Sequence, residues 1–271
     1  AVREALGRAV EYARSRGIGI VQDLDVRLAR EAFATAYPDQ LQQMLRIREL
    51  PDGESDVLRF APEALSDHYT GLAPPYLCRG GRFVRALSYR VEGEAILPDT
   101  IEDVTARCEV LEESEEAVVV RLPRHPGTRT CAIVTFSHFA ADAFSPKIIP
   151  FQSEIIRSYR DVPLVGVCKD EWGFPPCFDG TPNHDDIWYS EAMDQEYERR
   201  TGTRLLDAAP LLWRPHVGRE AERAGAINAF NRMVLDRHVE IESAFYDVTK
   251  EVFGPDAFVG THATWFPQPD V

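Results

Sequence analysis

Lysine is scarce in this chain. It occurs only at Lys147, Lys169 and Lys250, so arginine carries nearly all the positive charge. The net charge of -14 argues against a general nucleic-acid binder, which needs clustered Lys and Arg to displace counterions. No apolar run approaches the roughly 20 residues of a membrane-spanning helix. Neither nucleic acid nor membrane is therefore an expected partner. The five cysteines, Cys78, Cys108, Cys131, Cys168 and Cys177, form no CxxC pair and are odd in number. Reduced thiols packed on strands, in a cytoplasmic-type redox setting, are the ordinary reading. GxSxG, P-loop, GxGxxG and HExxH signatures are missing too, leaving nucleophile-elbow, nucleotide and zincin chemistries without their motifs. No cofactor is expected. The chain opens on AVREALGRAVEYARSRG with no start methionine or signal peptide, and it ends just past a strand-like segment. A piece of a longer protein is expected, so a localisation signal could lie outside these residues.

What is present reads as globular: 271 residues with 44% hydrophobic and 27% charged content can bury a substantial core. Residues 2–16 place Val2, Leu6, Val10 and Ala13 at helical spacing, Gly17 ends that helix, and the strand IGIVQDLDV follows. Residues 28–46 read as helical in two pieces, broken before Pro38. From 47 to 139 the texture changes to short alternating runs, the pattern of an antiparallel β sandwich or sheet. The last two runs, AVVVRLPRHPG and TCAIVTFSHF, are joined by the hairpin-like HPGTR. Helix and strand then alternate again. Ser145 and Pro146 open a helix to about Arg160, a strand covers 163–168, and Ser190 caps a helix ending near Gly202. A long helix spans about 224–253 and feeds the strand-like AFVGTHATWF. The irregular GFPPCFDGTPNHDDIWY between the 163–168 strand and the Ser190 helix suggests a substrate-facing loop. The predicted class is α/β, a (β/α) TIM-type barrel incomplete in this chain. Residues 1–46 form its first part, 47–139 an inserted antiparallel β-sandwich-like domain, and 140–271 its continuation.

Three strands of parallel type end in polar or aromatic clusters: QDLD, CKDEW and THATW. In a β/α barrel such strand ends converge on the face where the loops build the active site. Glu171 is the candidate general acid, because a carboxyl beside Trp172 and partly shielded from water holds its proton more tightly. Asp170 would orient it or bind a hydroxyl, although both carboxylates could equally cap the loop or pair with an arginine. Asp23 and Asp25 alternate along their strand and share one side. They are candidates for substrate binding, and pairing with Arg27 or Arg30 is the competing role. His262 and Trp265 suit sugar recognition by hydrogen bonding and ring stacking, and core positions would explain them equally well. His184, Asp185 and Asp186 superficially suggest a metal site, yet no second histidine stands at ligand spacing, so no metal is expected. Cys168 lies inside an apolar run and reads as an inert thiol.

The order RGIGIVQDLD, a β-rich interruption, ADAFSPKIIPFQSEIIRSY, VGVCKDEWG, then WYSEAMDQEYERRTGTRLLDAAPLLW resembles large bacterial TIM-barrel glycoside hydrolases, including those related to the α-L-rhamnosidases. Tyr197 to Leu212 echo a helix of that family. The likeness implies a catalytic barrel split by a β domain, a carbohydrate substrate, and Glu171 as a catalytic acid or binding carboxylate. Two departures stand out: Trp172 replaces the usual proline after the acidic pair, and the strand at 18–24 ends in Asp-Leu-Asp where the family has a Tyr-Asp-Glu type end. Glycoside hydrolysis generally needs two carboxyl groups. The second is expected on barrel strands beyond this chain, with Asp23, Asp25 or Asp142 as local options. The alternative expectation is a carbohydrate-binding or scaffold protein that keeps the fold without turnover. The sugar, the anomeric outcome and the oligomeric state are not legible.

Overall fold

A computed structural model describes residues 2–26, 28–51, 53, 55–61, 79–169 and 186–261. The first stretch carries α1 (Val2–Ser15), β1 (Val21–Asp23) and α2 (Arg30–Ala36). Ten strands and one helix follow: β2 (Leu41–Glu49), β3 (Val57–Phe60), β4 (Arg79–Tyr89), β5 (Val91–Glu92), β6 (Ala95–Ile96), β7 (Glu102–Asp103), β8 (Glu109–Glu113), β9 (Val118–Arg121), β10 (Arg129–Ala141), α3 (Ile148–Arg157) and β11 (Gly166–Lys169). Then come β12 (Asp186–Tyr189), α4 (Glu191–Thr201), α5 (Leu205–Trp213), α6 (Glu220–Phe253) and β13 (Phe258–Thr261). The described residues divide into two compact units, one drawing on 2–40, 140–169 and 234–261, the other on 41–139 and 186–233.

The first unit is a parallel three-stranded sheet in the order β1-β11-β13. Its registers are Asp23↔Cys168 on one side and Lys169↔Thr261 on the other. Helices cover it because each presents an apolar stripe. Val10 of α1, Ile156 of α3, and Phe245 and Val248 of α6 are buried with Leu24, Leu164 and Val167. Each such side chain contributes about 1.5–3 kcal/mol on leaving water. Gly166 sits where β11 and β13 run closest: a Cβ there would lie 2.2 Å from the Phe258 carbonyl oxygen. Only a residue without a side chain fits.

In the second unit a five-stranded sheet runs β12-β2-β10-β4-β7, and a three-stranded sheet runs β3-β9-β8. The pairs β12·β2, β10·β4, β4·β7, β3·β9 and β8·β9 are antiparallel. Met44, Ala86, Val134 and Phe136 of the larger sheet share one core with Leu58, Phe60, Val118 and Val120 of the smaller. Alternation of inward apolar and outward polar residues is what lets one face of each sheet be buried. Beside them, α4 starts where Ser190 Oγ accepts the Met193 amide at 3.1 Å and stops at Gly202, whose φ of 76° suits the left-handed cap.

The expected TIM-type barrel is corrected by this topology. Only three strands pair in parallel, and the remaining sheets described contain antiparallel pairs, so no closed barrel exists among the described residues. Closure needs strands that continue the stagger all the way round, and here parallel pairing ends at β1 and β13. A second correction concerns residues 41–46, expected as helix. They begin β2, where Gln42, Met44 and Arg46 are all buried and β12 pairs alongside. Burial on both faces of a sheet outweighs the helix preference of Leu, Gln and Met. A third concerns HPGTR, which joins β9 to β10. Those strands belong to different sheets, so the turn is a crossing between layers and no hairpin pair forms there.

Candidate functional site

The carboxyl ends of β1, β11 and β13 share one edge of the parallel sheet, the position where open α/β sheets gather their ligands. Asp25 lies just past β1 and is 1% exposed. Two devices hold it. Its Oδ1 accepts the Leu28 amide at 2.8 Å, and the buried Gln152 of α3 spans the backbone on either side. The Gln152 side-chain amide donates to the Leu24 carbonyl at 2.7 Å and accepts from the Val26 amide at 2.7 Å. The Leu24 amide also donates to the Cys168 carbonyl of β11 at 3.0 Å, so strand and helix together fix the chain around Asp25.

Lys169 ends β11 with its side chain only 2% exposed. Its Nζ donates to Glu242 of α6 and lies 4.6 Å from the centre of the Phe245 ring. Burial pushes the ammonium below its ordinary range, while Glu242 and the charge of Asp25 pull the other way. Glu242 is 27% exposed. It also accepts from Thr261 Oγ1 at 3.4 Å, and His238 Nε2 stands 3.7 Å away, one helical turn back. Burial lowers the His238 pKa, with Glu242 opposing and Lys169 reinforcing the shift. Across the sheet the Cys168 thiol donates to Asp23 Oδ1.

The site therefore gathers carboxylates of different access around one buried cation. Asp25 lies on the buried side, where its charge favours the Lys169 ammonium. Glu242 combines a charge partner with an open side, so it can meet a solute. Among the described residues no three His, Cys, Asp or Glu side chains gather to hold a metal ion.

Of the residues predicted from sequence, Asp23 and Asp25 lie at this edge. Asp170, Glu171, Trp172, His262 and Trp265 fall outside the described residues, as do His184 and Asp185. Asp142 caps its own turn, accepting the Phe144 amide at 2.9 Å. Sequence reasoning passed over Glu242, His238 and Lys169 as a group. The signals were a lysine in an arginine-rich chain, and a His-Glu pair four apart on a helix whose Ile241 and Phe245 face inward. Cys108, Cys131 and Cys168 are free thiols. Among the described residues no helix is long and apolar enough to cross a membrane. No protein-family model matches the chain, and no curated protein matches it.

Proposed function

We propose that the carboxyl edge of the parallel sheet is the working face of a glycoside hydrolase that cleaves a carbohydrate by carboxylate acid/base catalysis. The observation that carries this reading is the buried Lys169 held against Glu242 at the end of β11, two residues before Glu171 in the sequence. Glu171 is the proton donor to the leaving oxygen. Glu242 is the second carboxylate, chosen over Asp25 by access: a side chain 27% exposed can reach a sugar ring, whereas one 1% exposed cannot. Lys169 acts as a positioning residue, holding Glu242 through their ion pair, and Asp25 supports Lys169 in turn. Asp170, Trp172, His262 and Trp265 remain candidates for orienting the sugar. Hydrolysis needs such a pair of carboxyl groups flanking the scissile bond.

The test is hydrolysis of a panel of aryl glycosides by the full chain, by Glu171→Gln and by Glu242→Gln. Turnover that drops by about 100-fold or more in each variant is expected, since acid/base groups contribute on that order. Rates unchanged in Glu171→Gln or Glu242→Gln remove that residue from the mechanism. Sugar binding without turnover by the wild-type chain would support the carbohydrate-binding alternative.

A further inference from the structure

A cavity of about 520 Å³ opens wholly within the second unit, walled by β4, α4, α5 and the start of α6. That volume lies in the range that encloses a small organic ligand. Its charges are already closed among themselves. Arg85 is held by Asp103 at 2.8 Å and by Asp207 at 2.7 Å, and Arg219 by Glu222 at 3.2 Å. A charged ligand would have to break one of these pairs.

One wall carries an unused acceptor. His216 is 5% exposed, and its Nδ1 lies 3.0 Å from the Arg214 carbonyl oxygen, which assigns the proton to that nitrogen. Nε2 then presents a lone pair with no partner among the described residues, on a side chain that lines the cavity. Burial lowers the pKa of the ring, with Arg219 and Arg223 acting in the same direction and Glu222 and the Arg214 carbonyl against it. Gly225, in the body of α6, also lines the cavity. A Cβ there would meet nothing within 4 Å, so no close packing accounts for the glycine. A glycine inside a helix is unfavourable, and what it preserves here is room. Thr203 adds a hydroxyl that both donates and accepts, Thr201's being bonded to the Tyr197 carbonyl at 2.8 Å, while Leu87, Ile101 and Leu211 supply aliphatic surface.

We propose that this cavity binds a neutral cyclic polyol the size of a mono- or disaccharide, one ring hydroxyl donating to His216 Nε2 and the C–H face resting on the aliphatic wall. The proposal does not rest on the hydrolase reading.

Saturation-transfer NMR and calorimetric titration with methyl α-D-glucopyranoside, methyl β-D-galactopyranoside and myo-inositol test it, all in the Glu171→Gln background to exclude turnover. Millimolar binding of at least one probe is expected, the glycosides and the inositol distinguishing a sugar from another ring polyol. Gly225→Leu fills the space, so it should weaken binding by about tenfold or more while leaving Tm equal or higher. His216→Asn keeps a donor for the Arg214 carbonyl but leaves no acceptor at the position of Nε2, and should weaken binding by a similar factor. Failure of all three probes, undiminished affinity in a folded Gly225→Leu, or tighter binding of glucose 6-phosphate or glucosamine would each overturn the proposal.

Discussion

Removing either member of the Lys169–Glu242 pair should have unequal cost, and the inequality follows from access to water. In Glu242→Gln the Lys169 ammonium stays 2% exposed without its principal partner. Breaking a buried pair from that side costs about 3 kcal/mol, moderated by the remaining charge of Asp25. In Lys169→Met the stranded group is Glu242, which at 27% exposed can recover much of its hydration. The methionine meanwhile keeps the contact with Phe245. That change should cost only about 1 kcal/mol. The double variant leaves no uncompensated charge and should fall near the Lys169→Met value, giving a coupling of about 2–3 kcal/mol. Urea unfolding of the four proteins at pH 7 measures it.

A pH series sharpens the same prediction. Because the folded ammonium has a lowered pKa, the unfolded chain binds more protons in the window between that lowered value and 10.5, so this group makes stability rise with pH there. Glu242→Gln removes an opposing pull and lowers the folded pKa further, so the window should extend downward and the variant should regain stability earlier on the alkaline side. Equal cost from the two single changes, or a coupling near zero, would refute the reasoning, because it would mean Lys169 reaches water in spite of its burial.

Gln152→Leu should destabilise by about 2–3 kcal/mol, since it leaves the Leu24 carbonyl and the Val26 amide without their side-chain partner; faster hydrogen exchange at Val26 is the direct readout. Glu196, held by Arg199 and Arg200 at 2.7 Å, has its pKa lowered to about 2 from 4.5. Its contribution is present above about pH 4.5 and is lost as the pH falls toward 2; solvent screening limits it to about 1 kcal/mol, so Glu196→Gln should flatten the acid limb of the stability curve by that amount. Gly166→Ala forces β11 away from the Phe258 carbonyl and should cost about 3 kcal/mol or more in thermal unfolding. Burial pushes the Cys131 thiol up to about 12, so iodoacetamide at pH 8 should leave it unmodified in the folded chain while labelling it in urea, as read by mass spectrometry.

The elements with local punctuation were legible in the sequence. The glycine after α1, the Ser190 and Gly202 caps of α4, and the glycine after α6 each reflect a backbone requirement that the neighbouring residues state by themselves. The strands that became β1, β11 and β13 were legible as apolar runs, and their polar ends pointed to one edge. Sheet membership was not. A turn such as HPGTR looks the same whether it returns to its own sheet or crosses to another, and only the distant partners of β9 and β10 decide. β2 was misread because its Gln42, Met44 and Arg46 carry no β-branched signature; their burial depends on partners far along the chain, such as Phe136 of β10 beside Arg46 and Tyr189 of β12 beside Gln42. The Lys169–Glu242 pair spans 73 positions, and neither residue by itself distinguishes a core ion pair from a solvated one.

Gln152 has a consequence for how substitutions near Asp25 can arise. Its carboxamide imitates a peptide group, offering one donor and one acceptor to residues two apart, so a helix side chain supplies the bonds that a strand backbone would otherwise make. Glutamate there would set a negative oxygen against the Leu24 carbonyl, and methionine would offer neither bond. The segment carrying Asp25 is therefore spliced to α3 through a single rotamer, and any shift of that helix along its axis is transmitted to the aspartate.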